Sequence, residues 1–199
     1  MRCDATTAHD RVVLLDRDGV INESPPEGSW VFRWADFRFA PGALDALGRL
    51  REDGFTVAVI TNQSCVGRGL APLADIEEIN ARMVEAVAAA GGHIAGVYMC
   101  PHPKAQDCSC RKPKPGLIDQ AARELGFDPS RAFLVGDAER DIEAGLARGC
   151  TTVLVAPPGG PAAIATKAHH DVPTLADAAG LLGLIMDLVD GRVGVLELE

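Results

Sequence analysis

Four side chains that commonly bind metals lie within the eleven-residue stretch CPHPKAQDCSC. The candidate ligands are Cys100, His102, Cys108 and Cys110. Three thiolates and one imidazole complete a tetrahedral zinc site and leave no position open for a catalytic water. A redox pair typically has the Cys-x-x-Cys spacing, which this stretch lacks. We therefore predict a structural zinc ion that fixes the two residues after the last ligand, Arg111 and Lys112.

A second set of reactive groups is spread over four segments, LLDRDGVIN, ITNQS, RKPKPG and VGDAERD. The carboxylates among them are those of Asp16, Asp18, Asp137 and Asp141. Carboxylate oxygens are ligands that Mg²⁺ prefers, and water or substrate oxygens complete its coordination. Taken alone, the DRDG segment also fits a solvent-exposed turn, because Asp and Gly are common in turns. The four segments together favour a magnesium site.

These groups fit the chemistry of phosphoryl transfer. A carboxylate beside a magnesium ion can attack phosphorus and form an aspartyl-phosphate. The hydroxyl of Thr61 and the ammonium of Lys112 could then hold the phosphoryl oxygens, whose negative charge must be balanced in the transition state. Asp18 remains available to move the proton to the leaving group and from the attacking water.

Apolar runs that alternate with helix-like segments predict the elements that position these groups. Five runs read as buried strands of a parallel sheet, at residues 11–16, 55–61, 94–100, 132–137 and 151–156. Helices are predicted at residues 41–51, 72–90, 115–125 and 140–148, mostly with Pro at the start or Gly after the end. This alternation predicts a doubly wound, Rossmann-like α/β fold with helices on both faces of a mostly parallel sheet. Ligands of such folds bind at the carboxyl ends of the strands, where the reactive segments lie.

Composition restricts the class of protein. The 199 residues predict one domain, with residues 1–10 as a flexible tail. A net charge of −9 argues against a nucleic-acid or anionic-membrane binder. The N-terminus lacks the apolar run of a signal peptide, and the stretch GLLGLIMDLV is too short to span a membrane. We therefore expect a cytoplasmic monomer that acts on a small-molecule phosphate ester.

The order DRDGV, ITNQS, RKPKPG and VGDAERD resembles the four motifs of the haloacid dehalogenase (HAD) superfamily of phosphohydrolases. The resemblance implies that Asp16 is the nucleophile, Asp18 the acid and base, and Thr61 and Lys112 the phosphoryl holders. It also implies a magnesium ion, for which the predicted ligands are Asp16, Asp18 and Asp137.

Within the superfamily, the CPH and C-x-C-RKP segments resemble a branch that contains zinc and has no large cap domain. That branch includes heptose 1,7-bisphosphate 7-phosphatases and histidinol-phosphate phosphatases. We predict removal of the 7-phosphate of a heptose bisphosphate, because Arg111 could bind the distal end of such a substrate. The other predicted substrate contacts are Asn62, Gln63, Ser64 and Glu27. Histidinol phosphate remains the alternative, since Glu23 and Glu27 could meet an amino group.

Two other classes of protein share some of these features. A receiver domain also has an acidic cluster, a Thr and a Lys on a doubly wound sheet, but its phosphorylated Asp follows a later strand than the acidic pair. A zinc-knuckle module for nucleic acids would explain Cys and His beside Lys and Arg. The acidic composition and the lack of interleaved aromatic residues argue against the knuckle.

Overall fold

The computed structural model describes residues 11–26, 28–156 and 166–192. Within these ranges the strands are β1 (Val12–Leu15), β2 (Thr56–Asn62), β3 (Gly96–Cys100), β4 (Phe133–Gly136), β5 (Thr151–Val155) and β6 (His170–Val172). The α-helices are α1 (Ala43–Glu52), α2 (Leu73–Ala89), α3 (Gly116–Leu125), α4 (Glu139–Leu146) and α5 (Leu175–Val189). The strands form one sheet in the order β3-β2-β1-β4-β5-β6, and all neighbours pair in parallel.

The sheet is covered by helices on both faces because its central strands are apolar at every position. In β1, Val13 and Leu15 belong to the core cluster that includes residues of α1, α2 and α5. Val12 and Leu14 point to the opposite face, into the cluster that includes residues of α3 and α4. This alternation follows from the two-residue period of a strand. The doubly wound α/β fold predicted from the sequence is confirmed.

The predicted strands and helices agree with the observed ones to within two residues at nearly every end. The sequence analysis did not identify β6 or α5, which complete the edge of the sheet and one helical layer. Strand β6 has only three residues, and His170 and Asp171 are exposed, so it carries no apolar signal. The prediction of one domain over residues 1–199, with a tail at 1–10, includes residues outside the described ranges and stays a prediction. No described helix has the length and apolar character needed to cross a membrane.

The strand order brings two predicted segments together at the middle of the sheet. Strand β1 lies between β2 and β4, so the direction in which the chain winds changes between β1 and β4. The backbone N–H of Asp16 donates to the carbonyl of Val135 at 2.9 Å, which continues the pairing with β4 one residue beyond the end of β1. Such a switch point leaves a crevice at the carboxyl ends of the strands, where ligands of these folds bind.

Candidate active site

A cavity of about 340 Å³ opens at the carboxyl ends of β1, β2 and β4. Its walls contain seven of the site residues that the sequence predicts: Asp16, Asp18, Thr61, Asn62, Ser64, Arg111 and Asp137. Gln63 and Lys112 lie behind this wall, fully or almost fully buried, and contact the residues that line it. Glu27 lies outside the described residues. The topology therefore brings together segments that are far apart in sequence, such as those of Asp16 and Asp137.

The two carboxylate oxygens of Asp16 have different partners. Oδ1 accepts hydrogen bonds from the backbone N–H of Arg17 at 2.7 Å and pairs with Nζ of Lys112 at 2.9 Å. Oδ2 has one cation in range, Nη2 of Arg140 at 3.9 Å. Burial raises the pKa of Asp16 to about 6, against the opposing attraction of Lys112. The side chain is 4% exposed, so its remaining contacts are available only from the cavity.

Lys112 is buried among acceptors. Its Nζ lies 2.9 Å from Asp16 Oδ1, 2.7 Å from Asp141 Oδ1 and 2.7 Å from the carbonyl oxygen of Ile60. Burial alone would lower the pKa of this ammonium, but the carboxylates of Asp141 and Asp16 raise it above its ordinary value. Lys112 therefore carries a full positive charge beside the cavity, as a group that binds phosphoryl oxygens must.

Three carboxylates lie close enough to share one cation. Ligand oxygens of Asp16, Asp137 and Asp141 all lie within 4.8 Å of one another. Burial and the neighbouring charge of Asp16 raise the pKa of Asp137. Asp141 Oδ2 accepts from the backbone N–H of Ala138 at 3.1 Å, while Oδ1 lies 2.7 Å from Nζ of Lys112 without accepting a well-directed hydrogen bond. Asp16 and Asp137 both line the cavity, and their carboxylates are a donor set that fits a hard divalent cation such as Mg²⁺.

Asp18 lies outside the group of three carboxylates and is paired with Arg17 instead. Arg17 separates Asp16 from Asp18 in sequence, and its guanidinium pairs with Asp18 at 2.9 Å and 3.1 Å. The guanidinium is fully buried and is also bound by Asn80 of α2 at 3.0 Å. Asp18 accepts two further hydrogen bonds, from Asn22 at 3.0 Å and from Gln63 at 2.7 Å. Although burial raises the pKa of Asp18, Arg17 and these donors lower it below its ordinary value.

Gln63 links the end of β2 to Asp18. Its Nε2 donates to Asp18 at 2.7 Å and to the Thr61 hydroxyl at 2.9 Å. Gln63 is fully buried and is not among the residues that line the cavity, so its contact with substrate stays a prediction. Thr61 and Ser64 lie at the cavity wall, where their hydroxyls can donate to a bound phosphoryl group.

The Cys and His side chains form one compact cluster. Cys110 Sγ lies 3.2 Å from Cys100 Sγ and 3.4 Å from Cys108 Sγ, and the remaining sulfur pair is 3.5 Å apart. His102 Nδ1 lies 3.3 Å from Cys110 Sγ and 3.7 Å from Cys100 Sγ. Sulfurs bound at 2.3 Å to a tetrahedral zinc ion would lie about 3.8 Å apart, so small shifts would accommodate the ion. Sulfurs at 3.2 Å or more are not bonded to one another.

The cluster is connected to the cavity through Arg111. Nη1 of Arg111 donates to the carbonyl of His102 at 3.2 Å, while its side chain lines the cavity. The backbone N–H of Gly67 donates to the carbonyl of Pro101 at 2.9 Å, which ties the loop to the turn after β2. These hydrogen bonds hold the loop in place and position the guanidinium of Arg111 at the cavity wall.

The sequence analysis missed several residues at the cavity: Ser24, Trp30, Arg68 and Arg140. The guanidinium of Arg68 lies over the Trp30 ring, 5.3 Å from its centroid. Ser24 donates to Asp137 at 3.2 Å. A signal exists for Arg140, because a cation in the first turn of a helix opposes the helix dipole and suggests an anionic partner. Trp30 and Arg68 carry no comparable local signal.

Comparisons with known proteins agree with this site. A family model described as HAD-hydrolase-like matches residues 109–178. The chain is similar to the D-glycero-beta-D-manno-heptose-1,7-bisphosphate 7-phosphatase of Pseudomonas putida, with 41% identity over 146 residues, 73% of this chain and 82% of that protein. It is also similar to the D-glycero-alpha-D-manno-heptose-1,7-bisphosphate 7-phosphatase of Mycobacterium tuberculosis, with 38% identity over 153 residues, 74% of this chain and 80% of that protein.

A solved structure extends the similarity to the whole fold. The D,D-heptose 1,7-bisphosphate phosphatase of B. bronchiseptica, complexed with magnesium and phosphate, superposes with a TM-score of 0.79 at 32% identity. The match covers 89% of this chain and 99% of that one.

Proposed function

This chain belongs to the heptose-1,7-bisphosphate 7-phosphatase family of HAD-like phosphatases, and we propose that it removes the 7-phosphate of a D-glycero-D-manno-heptose 1,7-bisphosphate. The observation that carries the proposal is the placement of Asp16. Its carboxylate faces the cavity, and the buried ammonium of Lys112 lies 2.9 Å from Oδ1. A nucleophile beside a fixed positive charge is the arrangement that phosphoryl transfer requires.

In the proposed mechanism, a carboxylate oxygen of Asp16 attacks phosphorus and the bond from phosphorus to the ester oxygen breaks. Asp18 protonates the departing alkoxide. It then takes a proton from the water that attacks the phosphorylated Asp16 and releases inorganic phosphate. The lowered pKa of Asp18 favours its ionised form, which suits the second step. An incoming phosphate dianion raises the pKa of a nearby carboxyl group, and this favours the protonated form needed in the first step.

Thr61 and Lys112 stabilise the negative charge during this transfer. The ammonium group already lies beside Asp16, and the hydroxyl of Thr61 lines the same cavity. A Mg²⁺ ion held by the carboxylates of Asp16 and Asp137 would supply further charge neutralisation and would orient the phosphoryl group. Asp18 as an additional magnesium ligand stays a prediction. Its carboxylate already accepts hydrogen bonds from Arg17, Asn22 and Gln63.

Two further cations in the cavity wall favour a second phosphate group on the substrate. Arg68 and Arg111 line the wall, and guanidinium groups bind phosphate or hydroxyl oxygens through paired donors. The described lining residues include no carboxylate besides Asp16, Asp18 and Asp137. An amino alcohol such as histidinol would bring its ammonium group toward these arginines without an acidic partner. The cavity therefore supports a bisphosphate over histidinol phosphate.

We also propose a structural zinc ion at Cys100, His102, Cys108 and Cys110.

The relatives are phosphatases, so the receiver-domain and zinc-knuckle alternatives find no support in these comparisons. A cytoplasmic location and a monomeric state stay predictions from the sequence.

The test is phosphate release in the presence of Mg²⁺ from both anomers of the heptose bisphosphate, from histidinol phosphate and from a panel of hexose phosphates. We expect one or both heptose bisphosphate anomers to give the highest kcat/KM, the quantity that measures specificity. A higher kcat/KM for histidinol phosphate would contradict the proposed substrate while leaving the phosphatase chemistry intact. The product should retain phosphate at C1, which ³¹P NMR can distinguish.

A further inference from the structure

Arg140 contacts both proposed magnesium ligands. Its Nη2 lies 3.3 Å from Asp137 Oδ1 and 3.9 Å from Asp16 Oδ2. The side chain is 46% exposed and lines the catalytic cavity. None of the steps proposed above uses this guanidinium, although it lies 3.9 Å from the carboxylate of Asp16.

The position of Arg140 in the chain is unfavourable for a cation. It is the second residue of α4, where the first-turn backbone N–H groups create a positive potential. The carboxylates of Asp137 and Asp16 offset this cost in the present structure. A partner that binds these two carboxylates in place of Arg140 would leave the guanidinium without a counter-ion.

A divalent cation bound by Asp16 and Asp137 is such a partner. Asp16 Oδ1 already accepts from the backbone of Arg17 and pairs with Lys112, so Oδ2 is the oxygen left for a metal. That oxygen and Asp137 Oδ1 are the carboxylate oxygens with which Arg140 forms its ion pairs. Because like charges repel strongly at such distances, the ion and the guanidinium compete for the same oxygens.

The charge balance indicates where the guanidinium goes. Three carboxylates, those of Asp16, Asp137 and Asp141, face two cations, Lys112 and Arg140. This set has one excess negative charge without a metal ion and one excess positive charge with a divalent ion. The site then attracts an anion, and a half-exposed arginine side chain on the cavity wall can turn toward it.

We propose that Arg140 exchanges partners during the reaction cycle. In the metal-free protein it pairs with Asp137 and Asp16, and in the magnesium-loaded protein it turns into the cavity and binds phosphate oxygens of the substrate. The proposal rests on the proposed function, because it takes Asp16 and Asp137 as the magnesium ligands. It assigns Arg140 two opposite effects, since the residue weakens metal binding and strengthens phosphate binding.

Calorimetry can separate the two effects. Mg²⁺ is titrated into metal-depleted protein that retains zinc, and inorganic phosphate is then titrated into protein saturated with Mg²⁺. The variant Arg140→Met removes the charge and keeps a long apolar stem. The control Arg148→Met removes a guanidinium that pairs with Asp119 on the surface instead. Arg140→Lys keeps the charge without the planar pair of donors and should lie between Arg140→Met and the wild type.

We expect Arg140→Met to bind Mg²⁺ about three- to fivefold more tightly, as the loss of a half-exposed ion pair predicts. The same variant should bind inorganic phosphate about tenfold more weakly or worse, as the loss of a charged hydrogen-bond donor predicts. Arg148→Met should match the wild type in both titrations. Unchanged or weaker Mg²⁺ binding in Arg140→Met would overturn the competition, and unchanged phosphate binding would overturn the exchange of partners. A wild-type protein that binds no Mg²⁺ would overturn the proposed mechanism as well, which distinguishes the two failures.

Discussion

The side-chain amide of Asn62 is hydrogen bonded to both backbone polar groups of Lys112. Nδ2 of Asn62 donates to the carbonyl of Lys112 at 3.1 Å, and Oδ1 accepts from the N–H of Lys112 at 3.1 Å. Asn62 is the last residue of β2, so the sheet itself fixes a loop residue that is 50 positions later in the chain. The ammonium group of Lys112 reaches Asp16 from this fixed base.

The first prediction concerns this pair. Asn62→Ala should lower kcat about 10- to 100-fold, because the Lys112 backbone loses both hydrogen bonds and its ammonium is no longer held against Asp16. Steady-state kinetics with the heptose bisphosphate will measure the loss. Gln120→Ala, which removes an exposed amide bonded to Glu124 on α3, is the control and should leave kcat unchanged. Wild-type kcat in Asn62→Ala would mean that this clamp does not position the lysine.

The second prediction separates the roles of the two carboxylates. Asp16→Asn should reduce kcat by about 10⁴-fold or more because the nucleophile is lost. Asp18→Asn should reduce kcat by about 10²- to 10⁴-fold because proton transfer is lost. A beryllofluoride adduct, detected by ¹⁹F NMR, should form with Asp18→Asn and not with Asp16→Asn. Near wild-type turnover by folded Asp16→Asn would disprove the covalent mechanism.

The third prediction uses two glycines with similar backbones. Gly19 has φ of +88°, and a Cβ there would lie 2.1 Å from Asp137 Oδ2, while Gly126 has φ of +74° and an added Cβ meets no atom within 4 Å. Each change to Ala should cost about 1–2 kcal/mol of stability through the left-handed backbone. Gly19→Ala should in addition lower kcat/KM about 100-fold by displacing Asp137. Equal kcat/KM in the two variants, measured beside their thermal unfolding, would contradict this role of Gly19.

The fourth prediction concerns the Cys and His cluster. Cys110→Ser should lose the zinc ion and reduce kcat about 100-fold, because Arg111 and Lys112 follow this ligand directly and lose their fixed position. Elemental analysis and kinetics will measure the two losses, and Mg²⁺ binding at Asp16 and Asp137 should largely survive. Cys150→Ala, at a buried thiol in the core beside α3 and α4, is the control and should keep both zinc and activity. Full activity in zinc-free protein would refute the coupling.

Much of the site followed from the sequence because the relevant patterns are local. Cys100, His102, Cys108 and Cys110 lie so close in sequence that a short loop must bring them together. The four phosphoryl-transfer segments each follow an apolar run or precede a helix of the predicted sheet. Since parallel strands end at the same edge, this placement alone predicted that Asp16, Thr61 and Asp137 would meet there.

Side-chain directions at that edge depended on the tertiary structure. Alternation along an extended chain would point Arg17 away from Asp16 and Asp18, but its buried guanidinium is bonded to both Asn80 of α2 and Asp18. Asp141, and not Asp18, therefore lies with Asp16 and Asp137. Trp30 and Arg68 line the cavity although no local pattern in the sequence indicates it. The spacing of residues along a strand or loop sets which groups arrive at the site, whereas contacts between distant segments in a packed interior decide which atoms face one another.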